Sequence, residues 1–242
     1  MKFFLLIFIS TLMFLVARVD AQDLDAQSVN ELKQSFIDSY GPDQNLVSGI
    51  RYYNLHAQYA GHKFFQDDKF VKGKLYLESG IYDDVLLKYN LYGQQLIIQI
   101  HFKDGTHTEI IVTDSRLKGF ELEQRSFKKL YFPQTDTLLF QLIGDGDPVC
   151  YYHWTIEVIP NSTGLQSVYE FSKMKRKSYV LTGSTLHSFR GARSFAKVFP
   201  AHRPQVMSYI RKEKIRLRKA SDGQMEGLIL HCTNLLNTGE NR

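Results

Sequence analysis

The sequence predicts an α+β, β-rich protein: an antiparallel meander sheet, curved toward a partial barrel, with an N-terminal helix and a C-terminal helical subdomain. Three observations carry this reading. Residues 75–112 hold three apolar runs in strict alternation, separated by a Gly-centred turn and an Asp-Gly turn. Alternation with a period of two marks a half-buried strand, and Asp-Gly between such runs marks a hairpin. Helical spacing is confined to the two ends of the chain. Nowhere do long helices alternate with strands, which argues against a parallel α/β sheet. With 242 residues, 43% of them apolar and 13% aromatic, the chain suffices for one ordinary core and is not disordered in composition.

The first residues stand apart from that core. Lys2 precedes an apolar stretch at 3–16 broken only by Ser10 and Thr11, and Val19-Asp20-Ala21 sets small residues where a signal peptidase reads. The stretch is shorter than the roughly 20 residues a membrane span needs. Residues 1–21 therefore read as a signal peptide cleaved after Ala21, and the mature protein as exported, periplasmic or extracellular. Gln22, not Cys, follows the cleavage point, which argues against a bacterial lipoprotein anchor. No second stretch approaches spanning length. Cys150 and Cys232 are the only cysteines. That compartment permits a disulfide between them, and two buried free thiols fit as well.

The elements follow in order. Residues 25–40 carry Val29, Leu32, Phe36 and Ile37 at helical spacing, ended by Gly41-Pro42. Strands are expected at 50–59 and 70–77. Val85, Leu87, Tyr89 and Leu91 then share one face, with Lys88 and Asn90 on the other. After Gly93, Leu96, Ile98, Ile100 and Phe102 continue the buried face opposite Gln99 and His101. After Asp104-Gly105, Thr108, Ile110 and Val112 complete the meander. Further strands are expected at 127–132, 137–143 and 149–159, the last two flanking a turn cluster from Gly144 to Pro148. A short strand at 168–171 precedes a hairpin of 178–181 with 186–189 across Thr182-Gly183-Ser184. Two helical turns at 192–199 lead to a basic helix opened by Pro204, with Val206, Met207, Ile210 and Ile215 on its apolar side. Ser221 is placed to cap a final helix over 222–236 that buries Met225, Leu228, Ile229, Cys232 and Leu236. The mature chain thus reads as a β-rich domain over 22–190, with a basic helical subdomain over 191–242 packed on the same unit.

Charge is distributed unevenly. Residues 22–172 carry 13 basic and 20 acidic side chains, whereas 173–219 carry 14 basic ones and only Glu213 in opposition. The basic region either balances the acidic one or faces an anionic partner.

Two stretches resemble a family of secreted, signal-peptide-bearing proteins common in Bacteroidota. Residues 61–99 carry the Gly-x-x-Phe-Phe element at Gly61, Phe64 and Phe65, then G-x-Y-x-D-V-x-L-x-Y-N-x-Y from Gly80 to Tyr92 and an apolar strand. Residues 177–219 resemble the same family's tail: a Tyr-containing hairpin, Phe199-Pro200, and a basic helix reading YIRKEKI. The resemblance implies a bacterial envelope or secreted location and a single β-rich unit with a helical end. It carries no activity and no site residues.

No motif assembles a catalytic constellation or implies a cofactor. The eight histidines show neither H-x-x-x-H nor H-E-x-x-H spacing. His101 and His107 are the metal candidates, expected to face each other across the Asp-Gly turn, but zinc needs a third or fourth ligand. Asp145 and Asp147 resemble half of a calcium loop and read as a turn. Asp67-Asp68 and Asp83-Asp84 are adjacent on extended chain, so each pair splits to opposite faces. There is no G-x-S-x-G elbow and no phosphate loop. Asn161-Ser162-Thr163 and Asp136-Thr137-Leu138 fit glycosylation patterns of eukaryotic and Bacteroidota type respectively. Arg211, Lys212, Lys214, Arg216, Arg218 and Lys219 crowd the end of the basic helix and are the anion-binding candidates. Aromatic residues beside them are few, so nucleic acid is not the expected partner. The chain reads first as a non-enzymatic envelope protein, a binding or structural module with an unidentified envelope or extracellular partner. The alternatives are a hydrolase using His and Asp on polar strand faces, and a binder of anionic surfaces, lipid head groups or acidic glycans, through the basic helix.

Overall fold

The computed structural model describes Glu31, Ser35 and residues 43–133, 135–161 and 168–239. The chain divides at Pro42 into two units. In the first, Glu31 and Ser35 are helical; the rest of the helix expected over 25–40, and the signal segment, lie outside the described residues.

The second unit is built on one antiparallel sheet. Its strands are β1 (Gly49–Arg51), β2 (Val71–Leu77), β3 (Gly80–Asn90), β4 (Gln95–His101), β5 (His107–Val112), β6 (Leu117–Leu122), β7 (Arg125–Phe132), β8 (Asp136–Ile143), β9 (Val149–Thr155), β12 (Lys175–Thr182) and β13 (Thr185–Phe189). A separate two-stranded ribbon, β10 (Val158–Pro160) with β11 (Tyr169–Phe171), interrupts the run. The eleven-stranded order is β1-β5-β4-β3-β2-β6-β7-β8-β9-β12-β13. The sheet is open, with β1 and β13 as its edges. Among the described residues of this unit the α-helices are α1 (Gln44–Val47), α2 (Ala192–Ala196), α3 (Arg203–Lys212) and α4 (Asp222–Gly239).

Local chemistry explains the meander. Asp104 Oδ1 accepts from the Thr106 N–H at 2.9 Å and from its hydroxyl at 2.6 Å, which folds the Asp-Gly turn. Asn90 Oδ1 accepts from the N–H groups of Tyr92 and Gly93 at 3.1 and 3.0 Å, closing β3 onto β4. β6 was not expected from the sequence. It joins β7 through Glu123 and Gln124 alone, both at positive φ (50° and 64°). Positive φ at both central residues is the hairpin geometry that Asn-Gly usually signals, and neither residue is of that kind.

The strand expected over 50–59 ends at Arg51. Tyr52 N–H still donates to the Glu109 carbonyl at 2.8 Å, after which the chain leaves β5, with Tyr53 and Leu55 63% and 77% exposed. The following segment folds back beside the end of β3, where Phe64 bridges Asn90 antiparallel. Phe65 N–H donates to the Tyr89 carbonyl and Leu91 N–H to the Lys63 carbonyl, both at 2.8 Å. The Phe-Phe and Tyr-Asn pieces of the sequence pattern therefore lie against each other.

One face of the sheet carries two cores in succession. The first packs Leu75, Leu87, Tyr89, Leu96, Phe120 and Phe127, with the Phe120 and Phe127 rings stacked at 4.6 Å. The second lies between β8, β9, β12 and β13 and the helices, around Tyr152, Val180, Phe195, Val206, Met225 and Leu228. β8 contributes Leu139 to the first and Ile143 to the second. Its opposite face buries Phe140 against Val149, Tyr151 and Leu186. The N-cap expected at Ser221 forms, and Gln224 completes it as a capping box: Gln224 N–H donates to Ser221 Oγ at 3.2 Å, and Ser221 N–H to Gln224 Oε1 at 3.1 Å. The helix expected over 192–199 is shorter, covering only Ala192–Ala196.

Both cysteines are free thiols in this structure. Cys150 and Cys232 are both buried in the second core and are not bonded to each other. Burial pushes each thiol up to about 12, so neither is ionised near neutrality. Titration with a chromogenic disulfide reagent should find no reactive thiol in the native protein and two after denaturation. A different strain follows from Gly73. A Cβ there would stand 2.2 Å from the Glu121 carbonyl oxygen and 2.7 Å from Leu87 Cδ1. Gly73→Val should therefore lose roughly 1–3 kcal/mol or more in chemical denaturation, since the nearer obstacle is backbone.

Candidate anion-binding groove

The groove forms where the outer end of β12, the edge strand β13, α2 and a 3-10 turn at Leu217–Lys219 meet. β12 supplies it by alternation. Lys175 and Lys177 are exposed, while Arg176 between them turns inward. The Arg176 guanidinium lies 4.0 Å from the Tyr152 ring centroid and 5.6 Å from that of Trp154. It donates to the carbonyls of Leu217 at 2.8 Å and Ala220 at 3.0 Å. The 3-10 turn is thus clamped to the sheet at both ends. Leu217 is buried by the clamp, and Arg218 and Lys219 are left outside. On the other wall, Ser194 Oγ accepts from the N–H groups of Arg190 and Gly191 at 3.0 and 3.1 Å, fixing the turn from β13 into α2.

Three contiguous depressions of about 890, 500 and 370 Å³ result. The first is lined by Lys175, Arg176, Lys177, Arg190 and Arg218 together with Ser178 and Ser188. The second adds Arg193, Lys197 and Arg203, and the third Arg216 and Lys219. Arg218 lines all three, and no Asp or Glu lines any. Among the described residues, Lys175 is the one side chain of the basic region that forms an ion pair, with Glu157.

This corrects the expected basic helix. α3 ends at Lys212, and Lys214 adopts a left-handed φ of 52°. Ile215 and Leu217 are then buried at alternating positions, 7% and 3% exposed, which is not helical spacing. Of the six candidates, Arg216, Arg218 and Lys219 line the groove. Arg211 and Lys212 end α3, and with Lys214 they line none of the three depressions. Lys177, Arg190, Arg193, Lys197 and Arg203 were visible in the sequence only as part of the charge excess.

The other candidates fall elsewhere. His101 and His107 are directly paired across β4 and β5, with ring centroids 5.7 Å apart. His101 Nε2 is 3.1 Å from Gln99 Oε1. Among the described residues no group of three His, Cys, Asp or Glu side chains is placed to hold a metal ion. The carboxylate of Asp147 accepts from the Gly183 N–H at 3.1 and 2.9 Å, tying the turn after β8 to the hairpin of β12 and β13. Asp67, Asp68 and Asp83 pair with Lys69, Lys88 and Lys74.

Buried polar groups are structural anchors. Asp222 at the start of α4 accepts from Arg125 Nε and Gln141 Nε2, both at 2.9 Å. Gln141 Oε1 accepts from the Trp154 indole N–H at 2.8 Å. Lys63, 3% exposed, donates to Asn54 Oδ1 at 3.0 Å. Burial holds its ammonium below the ordinary lysine range; Asp68 counters this and Lys88 adds to it. His153 Nδ1 is 3.1 Å from the Leu139 carbonyl, which requires the Nδ1–H tautomer, and burial lowers its pKa.

Comparison with known proteins finds no matching family model, no similar curated protein and no similar solved structure. No helix among the described residues is long and apolar enough to cross a membrane.

The clamp can be tested apart from the charge it carries. Arg176→Met removes the donor from two carbonyls and should cost about 3 kcal/mol in a denaturant titration. Arg218→Met should leave stability nearly unchanged, because Arg218 is exposed.

Proposed function

We propose that this is an exported, non-enzymatic binding module that holds an anionic ligand in the groove between β12, β13, α2 and the 3-10 turn. One observation carries the reading: three joined depressions lined by cations and by no carboxylate. Like charges crowded into one concavity, of which Lys175 alone is ion-paired among the described residues, raise the local concentration of counter-ions and steer an anionic ligand toward it. Arginine dominates the lining, and its planar fork suits sulfate, phosphate and carboxylate groups. The N-terminal pattern of Lys2, the apolar stretch at 3–16 and Val19-Asp20-Ala21 supports export. The resemblance to secreted Bacteroidota proteins points the same way.

The test is equilibrium binding of the purified chain to a fluorescent polyanion at low and high salt. Wild type should bind at low salt and weaken as salt rises. Reversing two groove charges (Arg190→Glu with Arg218→Glu) should weaken binding by more than about tenfold without lowering the melting temperature. Equal binding by wild type and this variant would overturn the proposal.

A further inference from the structure

Resting on that reading, we propose that the ligand is an acidic glycan chain, carrying sulfate or carboxylate groups and spanning all three depressions with Arg218 as the shared anchor. The depressions overlap in their walls. Arg190, Ser194 and Arg218 line both the first and the second, and Gly191, Ala192 and Arg218 both the second and the third. A single small anion fills one of them and leaves the other cations without a partner. A chain with regularly placed charges satisfies each in turn.

The composition of the walls selects among polyanions. Nucleic acid in single-stranded form is held by stacking bases on exposed aromatic rings. The aromatic side chains here are Phe189, 6% exposed, and Tyr179, which packs edge-on to Phe140 at 5.7 Å. Phe189 is closed off and Tyr179 is half-buried, so the groove has no row of exposed rings on which successive bases could stack. A membrane surface needs apolar side chains standing beside the cations to enter the lipid. Among the described residues, none of the exposed large apolar side chains lines the groove. The groove is moreover concave, whereas a bilayer is flat. What remains is a flexible, hydroxylated chain. Ser178 and Ser188, on neighbouring strands, add neutral hydroxyls between the charged groups of the first depression, and these suit sugar hydroxyls between acidic substituents.

The experiment is a calorimetric or fluorescence titration of the full chain with four probes at one ionic strength. These are sulfated oligosaccharides of increasing length from disaccharide to octasaccharide, inorganic sulfate, a single-stranded oligonucleotide matched to the octasaccharide in charge, and phosphatidylglycerol vesicles. Affinity should rise with sugar chain length and level off once the groove is filled, with the octasaccharide at least about tenfold tighter than the oligonucleotide. Arg218→Ser should weaken the octasaccharide by at least about tenfold, and Arg193→Ser should shorten the length at which affinity levels off. Arg211→Ser with Lys212→Ser, which changes net charge off the groove, should change little. Inorganic sulfate binding as tightly as the octasaccharide overturns the extended ligand. Oligonucleotide or vesicle binding that is equal or tighter, and lost in Arg218→Ser, overturns the glycan assignment while leaving the anionic groove standing. Binding to none of the probes removes both.

Discussion

Trp154 packs against both cores, and its position depends on a short chain of hydrogen bonds. The indole N–H is taken by Gln141, the Gln141 amide by Asp222, and the Asp222 carboxylate also by Arg125. Gln141 is 1% exposed, so its amide would be costly to bury without both partners. The chain of bonds runs from β9 through β8 to the first residue of α4, with Arg125 of β7 joining from the side. It sits at the seam where the sheet changes what covers it. On one side the buried face packs with the Phe65 segment, α1 and Phe171 of β11, on the other with α2, α3 and α4. Together with the Arg176 clamp on the Ala220 carbonyl, that seam fixes the start of α4 on the sheet and so seats the lid of the second core.

The groove is a consequence of the same arrangement. The helices cover the inner face of β12 and β13 but do not extend the sheet beyond β13. An uncovered edge strand invites another strand to pair with it, and charged side chains are a common protection. Here Arg190 and Arg193 follow β13 directly, and Lys175 and Lys177 stand on the strand beside it. The charges that discourage a second strand also line the cavity. Protection alone does not explain why they converge from three segments, or why the 3-10 turn is clamped so that Arg218 faces the same space.

Much of the fold was legible in the sequence and the groove was not, for different physical reasons. Strand alternation is local, so Leu87 and Tyr89, or Leu96 and Ile98, announce their face without any knowledge of neighbours. The Ser221 cap and the helix it starts are local too. The failures are places where local signals mislead. Residues 53–59 have strand-like composition, but β5 accompanies the chain only as far as Tyr52, whose N–H donates to the Glu109 carbonyl. The turn at Glu123-Gln124 has the backbone of a hairpin without its usual residues, which hid β6. The groove needs residues 175–178, 188–194 and 216–219 to meet, and no spacing in the chain encodes that meeting. The one available signal was the alternation of Ile215 and Leu217 within a run otherwise read as helix.

Arg176 and Arg218 show why charge counted along a sequence is a poor measure of a site. Both belong to the basic region and both line the first depression. Strand parity turns Arg176 inward, where two carbonyls and two aromatic rings take up its guanidinium. Its charge is largely spent on holding the turn. The turn it holds buries Leu217 and thereby forces the next residue, Arg218, into the open. One arginine builds the wall, and the other is presented by it with its hydrogen-bonding capacity free for a ligand. The excess of basic residues over 173–219 therefore divides into groups that make the structure and groups the structure leaves unsatisfied. Only the second kind can bind anything, and Arg218 stands where all three depressions share it.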